Sequence, residues 1–185
     1  MNDDAIQKGD IMMDVLEAIT SRYACRSYTT DRLTEQETLA LIDAANATPA
    51  ASHDFSVLKL TVVQDSKLLS EIDAATAHGL PPLGDHPTFG APTLMILSIR
   101  PNEMMPVVPY CTASCAAENI MIAARGLGLA SVFLMGVPLV LQKKTELLAK
   151  LHIEDDFKPV IVVAVGHAKN PLDIVKPKRL NVERL

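Results

Sequence analysis

Thr112-Ala-Ser-Cys-Ala-Ala-Glu-Asn-Ile-Met-Ile-Ala-Ala-Arg125 is the stretch whose reading decides the fold. Drawn as a helix, it carries apolar residues on nearly every face, and Gly126 and Gly128 stand just beyond it to end it. A helix that is apolar all round must be buried all round. A chain of 185 residues is about one domain's worth of sequence. Full enclosure in so small a body is most simply reached by packing part of the helix against a second copy of the chain. Its Ala and Ser side chains permit close approach, so a homodimer is expected.

Working outward, Ile11, Met12, Val15, Leu16 and Ile19 recur at helical spacing, and that pattern stops at Arg22-Tyr-Ala-Cys-Arg-Ser-Tyr28, placing two arginines in a turn. Thr34-Glu-Gln-Glu37 has capping-box spacing, with Leu39, Ile42 and Ala45 following on one helical face. Leu58 to Val63 is β-branched and partly alternating, as in a strand, and Ser66 to Ala77 returns to helical periodicity. The segment from His78 to Pro92 holds four prolines and three glycines and reads as a loop or lid. Thr93 to Ile99 reads as a buried strand, and Arg100 to Pro109 as a Pro- and Met-rich connection. Beyond the central helix, Ser131 to Leu134 predicts a short strand ending at Met135-Gly136. Pro138 to Leu151 predicts a helix, and Pro159 to Gly166 a strand buried on both faces. The tail from Val175 to Leu185 is basic and expected to be extended. Interleaved helices and strands of this kind make a layered α/β or α+β domain, expected over residues 11–185 behind a flexible segment 1–10.

Composition narrows the function. Hydrophobic residues make up 49% and charged residues 21%, which suits a packed globule and not a disordered or fibrous chain. Lys+Arg 17 against Asp+Glu 22 gives a net charge of −5, and the aromatic complement is Tyr 3, Phe 4 and Trp 0. Neither a phosphate-neutralising face nor base-stacking platforms are evident, so nucleic acid is not an expected partner. The N-terminal Met1 to Asp10 is polar and acidic where a secretory signal is basic and then apolar. Glu118 and Arg125 interrupt the greasiest stretch short of bilayer length. A cytoplasmic protein with no membrane partner is expected, with Cys25, Cys111 and Cys115 reduced.

The sequence contains no P-loop, no Gly-x-Gly-x-x-Gly after a strand, no His-Glu-x-x-His and no Gly-x-Ser-x-Gly. Cys111 and Cys115 stand one helical turn apart, but thiols so placed are usually small core residues, and no metal site is assigned. Two basic clusters, Arg22/Arg26 and Lys176/Lys178/Arg179, lie at opposite ends of the chain and suggest two halves of an anion clamp, because a guanidinium presents a planar fork matched to phosphate oxygens. Of the five histidines, His53 in Pro49-Ala-Ala-Ser-His-Asp-Phe55 is the one to watch.

Taken in order, these motifs resemble those of the FMN-dependent nitroreductase-like flavoproteins. Arg22-Tyr-Ala-Cys-Arg-Ser-Tyr28 is similar to the N-terminal Arg-x-Ser-x-Arg-x-aromatic signature. Pro49-Ala-Ala-Ser-His-Asp-Phe-Ser-Val57 occupies the place of a Pro-Ser-x-x-Asn-x-Gln-Pro-Trp segment. Ala113 to Ala124, then Gly126-Leu-Gly-Leu-Ala-Ser131 and Met135-Gly136, give the nearest match, and Val165-Gly166-His167 with Lys178-Arg179 completes the series.

The resemblance implies an α+β fold, a three-layer α/β/α sandwich in an obligate-type homodimer with non-covalent FMN at the interface. Carried over residue by residue, it implies that Arg22 and Arg26 contact the phosphate or pyrimidine edge, with backbone groups of Tyr23 and Ala24 beside them. Lys178 and Arg179 reach the phosphate, and Met135 and Gly136 lie close to the ring. His53 and Phe55 stand where the family has Asn and Gln, and Ala50 replaces a Ser, so FMN affinity or ring polarisation is where a departure from the family is expected. No catalytic side chain is implied, because the flavin carries the chemistry. The implied activity is ping-pong hydride transfer from NAD(P)H to an electron-poor small molecule such as a nitroaromatic or quinone. The alternative is an FMN-binding or sensory protein with little turnover. Asn119 is expected to be a structural hydrogen bonder, and Glu118 is left open.

Overall fold

The computed structural model describes residues 13–170 and 180–185. The expectations placed on segment 1–10, Ile11, Met12, Lys176, Lys178 and Arg179 lie outside the described residues. Along the chain run α1 (Val15–Ser21), α2 (Glu35–Asn46), β1 (Leu58–Val63), α3 (Ser66–Gly79), β2 (Thr93–Ile99) and α4 (Val108–Gly126). β3 (Ala130–Leu134), α5 (Gly136–Leu141), α6 (Thr145–Lys150) and β4 (Lys158–Gly166) follow.

The strands form one four-stranded sheet in the order β1-β2-β4-β3, with every neighbouring pair antiparallel. Register follows from pattern. In β2, Leu94 and Ile96 belong to the core on one side of the sheet, with Ile72 of α3 and Val137 and Leu141 of α5. Met95, Leu97 and Ile99 belong to the core on the other side, with Leu41 of α2 and Ala113, Ala117 and Ile120 of α4. Alternation along a strand thus divides one apolar run between two cores, and the expected α/β/α layering is present. β2 is fully buried and β4 is buried except at Lys158, as their unbroken apolar sequences require, while β1 at the edge is half-buried.

Local chemistry fixes the element ends. The Thr34 hydroxyl accepts from the Glu37 N–H at 3.2 Å, and Glu37 Oε2 accepts from the Thr34 N–H at 2.7 Å, completing the expected capping box. Asp14 and Asp65 cap α1 and α3 through the amides of Leu16 and Leu68. The chain leaves α4 through Gly128 at φ 76, a left-handed conformation that suits glycine.

Three expectations need correction. α4 begins at Val108 and not Thr112, because Pro109 in the first turn is tolerated where no intrahelical amide is needed. Cys111 and Cys115 are not core residues: with Tyr110 and Ser114 they form an exposed stripe, the part of α4 left uncovered within the chain. Finally, the helix expected over 138–151 is two helices. Gln142 donates from Nε2 to the Pro159 carbonyl at 2.6 Å, tying the chain to the start of β4, and Lys144 turns out of helical geometry at φ −122, ψ 74.

Candidate functional site

The arginine segment is positioned by the sheet. Immediately after α1 the chain lies beside β3: Ala24 forms a parallel bridge with Ser131, and the Cys25 N–H donates to the Ser131 carbonyl at 3.0 Å. Tyr28 then bridges to Ala168, the Thr29 N–H donates to the His167 carbonyl, and the Lys169 N–H donates to the Ser27 carbonyl. The Tyr28 hydroxyl, buried below this crossing, is shared between the carbonyls of Cys25 (3.1 Å) and Ala164 (3.3 Å). Burial holds its pKa well above the ordinary tyrosine value, so the phenol stays neutral. At Gly166 a Cβ would lie 2.6 Å from Pro92 Cδ and 3.0 Å from Tyr28 Cδ1, so only glycine fits the crossing.

This stitching brings Arg26 beside the end of β3. Arg26, Leu83, Pro87, Phe89, Met135 and Gly136 line a cavity of about 320 Å³, floored by the end of β3. The Arg26 guanidinium stands 5.8 Å from the centre of the Phe89 ring, and its Nη1 reaches the Ala24 carbonyl at 3.4 Å. Leu83 covers Gly136 so closely that a Cβ there would meet Leu83 Cδ1 at 2.3 Å. Within the chain, therefore, the close approach that glycine permits at this position is made by Leu83. Leu83, Pro87 and Phe89 were not singled out from the sequence, and their only signal was the Pro- and Gly-rich composition of the loop that carries them.

Arg22 sits at the C-terminal end of α1. Its Nε is 3.3 Å from Glu118 Oε1 on α4. The pair is close enough for charge attraction but not aligned as a hydrogen bond, and the buried Nε has no hydrogen-bond partner among the described residues. The Nε itself is closed to a ligand, but the Arg22 side chain is 29% exposed, and the planar fork of a guanidinium suits a phosphate. The residues at this end of the sheet therefore fit FMN: two arginines and an apolar slot with backbone at its edge. Tyr23 packs against the core beneath them. Asn119 has the structural role expected of it, donating from Nδ2 to the Ala44 carbonyl at 3.2 Å and the Thr48 hydroxyl at 3.4 Å.

His53 and Phe55 are not brought to this cavity. They lie in two short 3-10 turns (Ala51–His53 and Phe55–Val57) leading into β1, at the opposite edge of the sheet from β3. Three interstrand steps of about 4.8 Å separate those edges, roughly 14 Å in all. His53 adopts a left-handed φ of 56, and Phe55 is 48% exposed. Arg100 pins the second turn by donating from Nη1 to the Ser56 carbonyl at 2.9 Å. Among the described residues there is no group of His, Cys, Asp and Glu that could hold a metal ion, and no helix long and apolar enough to cross a membrane.

Comparison with known proteins bears on the family and the fold. Over 177 residues the chain is 29% identical to a protein of Methanothermobacter thermautotrophicus provisionally named NADH dehydrogenase/NAD(P)H nitroreductase, covering 93% of this chain and 88% of that one. It is 27% identical over 172 residues to the FMN reductase (NADPH) of Bacillus subtilis, covering 86% and 68%. A crystal structure of a nitroreductase with bound FMN from Desulfitobacterium hafniense superposes with a TM-score of 0.78 at 22% identity, covering 93% of this chain and all of that one. The family model described as the nitroreductase family matches residues 19–167, and the chain belongs to that family.

Proposed function

We propose that the protein is an FMN-dependent oxidoreductase that draws reducing equivalents from NAD(P)H and delivers them to a small electron-poor acceptor, a nitroaromatic or quinone. The observation that carries this reading is the cavity that joins Arg26 to Met135 and Gly136 at the end of β3. The names of the relatives, nitroreductase and FMN reductase, support it.

When bound, FMN would supply the redox chemistry that couples NAD(P)H oxidation to acceptor reduction in ping-pong order. The chain's own residues bind and orient. Arg22 holds the phosphate, together with Lys178 and Arg179 of the tail. Arg26 presents positive charge at the cavity, where it favours a reduced, anionic ring. Backbone groups of Tyr23, Ala24, Met135 and Gly136 line the ring edge, and Leu83 and Phe89 keep water from one side.

The same reading includes a homodimer. An uncharged exposed stripe of Val107, Tyr110, Cys111, Ser114 and Cys115 runs along α4, and α1 exposes Val15, Leu16 and Ile19. Surfaces of this kind are normally covered. A second copy would also bring the His53 and Phe55 segment of one protomer to the cavity of its partner, which a single chain does not do.

The test is the visible spectrum of the purified protein with and without added FMN, followed by NAD(P)H oxidation with menadione. Stoichiometric FMN uptake and turnover well above that of free FMN are expected, and a protein that takes up no flavin on titration would overturn the reading. The replacement of the family's Asn and Gln by His53 and Phe55 favours one alternative, an FMN-binding or sensory protein. Full flavin loading with no turnover above free FMN would select it.

A further inference from the structure

The loop between α3 and β2 lies between two cavities. Leu83, Pro87 and Phe89 face the cavity of Arg26 and Gly136. Asp85, His86, Thr88 and Gly90 face a second, larger cavity of about 570 Å³ that also touches Arg32 and Asp73. Phe89 packs against the core on the first side, while the open space on the second leaves the loop room to withdraw.

A single side chain of α3 supplies the tether. Asp73 Oδ1 accepts from the Thr88 N–H at 2.9 Å and from the Thr88 hydroxyl at 2.5 Å, and His86 Nδ1 lies 3.1 Å from Asp73 Oδ2. The next residue, Phe89, has φ 57, a left-handed conformation unfavourable for a bulky side chain. Gly84 and Gly90 on either side are also left-handed, at φ 80 and 67, and carry no comparable penalty. A strained aromatic persists only where its surroundings over-determine it. Here the determinants are the packing of Phe89 against the core, the Asp73 contacts just before it and the Arg26 guanidinium over its ring.

We propose that Asp73 is a positioning residue for the flavin cavity: it holds the 84–90 loop in the strained conformation that seats Phe89 beside Arg26, and so sets the cavity's width from the loop's other side. This rests on the reading of that cavity as the FMN site. Asp73 touches no ligand itself and acts through Thr88 and Phe89. Losing its hydrogen bonds lets Phe89 relax out of the left-handed region and the loop withdraw into the space behind it.

The experiment measures FMN dissociation constants by flavin fluorescence in the full-length protein and in the Asp73→Ala, Asp73→Asn, Phe89→Gly and Asp73→Ala/Phe89→Gly variants. Loss of hydrogen bonds to a charged acceptor predicts about a tenfold weaker affinity for Asp73→Ala, and Asp73→Asn, which keeps an acceptor oxygen for Thr88, recovers to within about threefold of the parent. In the Phe89→Gly background, with ring and strain both gone, removing Asp73 adds less than about twofold, a non-additivity that general destabilisation does not produce. Parent-like affinity in Asp73→Ala, or its full effect persisting without Phe89, overturns the proposal. If Asp73→Ala does not fold, Thr88→Val removes one arm of the tether and takes its place in the cycle with a smaller effect. Amide hydrogen exchange on the flavin-free protein separates this proposal from the flavin reading. Faster exchange at Phe89 and Ala91, whose N–H groups donate to His86 and Thr88 within the loop, with α3 still protected, supports the tether even in a protein that takes up no FMN. Unchanged exchange there refutes it.

Discussion

The two edges of the sheet differ in how completely one chain finishes them. At the β3 edge the segment from Arg22 to Thr29 is stitched down by a bridge to Ser131, a bridge to Ala168 and the buried Tyr28 hydroxyl, and a cavity lined by Arg26 results. At the β1 edge the strand is half-buried, Phe55 is exposed, and the Thr61 hydroxyl is buried without a hydrogen-bond partner among the described residues. The contrast teaches that the sheet carries a closed, strained half-site on one side and a loosely fitted surface on the other. Substitutions should therefore cost more at the first edge than at the second.

The largest effect is expected at the crossing beneath the arginines. Gly166→Ala places a Cβ against the Pro92 ring, which cannot swing away, and should destabilise the flavin-free protein by about 2–3 kcal/mol, read as a lower denaturation midpoint at unchanged slope. A mutant as stable as the parent would show that the crossing yields easily. Next comes Arg22→Ala, which on the proposed role removes a charge-assisted phosphate contact and should weaken FMN binding by about 10- to 100-fold. The flavin-free melting temperature should move little, since the Arg22–Glu118 pair is partly exposed. A large melting drop with unchanged FMN affinity would reverse that assignment.

Tyr28→Phe should cost about 1 kcal/mol at neutral pH, because one hydroxyl serves two carbonyls. Its sharper signature is in alkali. Burial raises the folded pKa of this phenol, so near the ordinary tyrosine value only the unfolded chain ionises it, and stability is lost as pH rises past about 10. The Phe variant should therefore show a shallower decline between about pH 9 and 11, and parallel curves for the two proteins would contradict the assignment. The smallest change is expected at the other edge. Thr61→Val removes a hydroxyl that has no hydrogen-bond partner among the described residues and should leave stability within about 0.5 kcal/mol of the parent or raise it slightly. A clear loss there would mean that the β1 edge is more tightly finished than its burial suggests.

What could be read from the sequence was what local chemistry or strict periodicity controls. The Thr34 to Glu37 capping box formed as spaced, and β1 and β2 begin and end where their patterns do. The ordered motifs named the family. Less legible were features set by distant contacts. The break between α5 and α6 depends on Gln142 reaching Pro159, seventeen residues away, and nothing in the helical period of 138–151 signals it. That part of α4 would stay uncovered within one chain was legible, but not that Tyr110, Cys111, Ser114 and Cys115 form that part, because Cys, Ser, Tyr and Ala are as compatible with a protein interface as with a core. Leu83 and Phe89 were hidden inside a loop whose composition announces irregularity but not direction.

By itself the sequence determined most of the secondary elements, the division of each apolar run between two cores, and the glycines and arginines from which a flavin cradle can be built, because these depend on side-chain type and short-range spacing. Only the tertiary structure decided which of those residues meet. It laid Arg26 beside Met135 and Gly136, kept His53 and Phe55 at the far edge of the sheet, and fastened the loop of Phe89 to Asp73. Those pairings follow from strand order and from the path the chain takes across the sheet, and neither is written in any local pattern of residues.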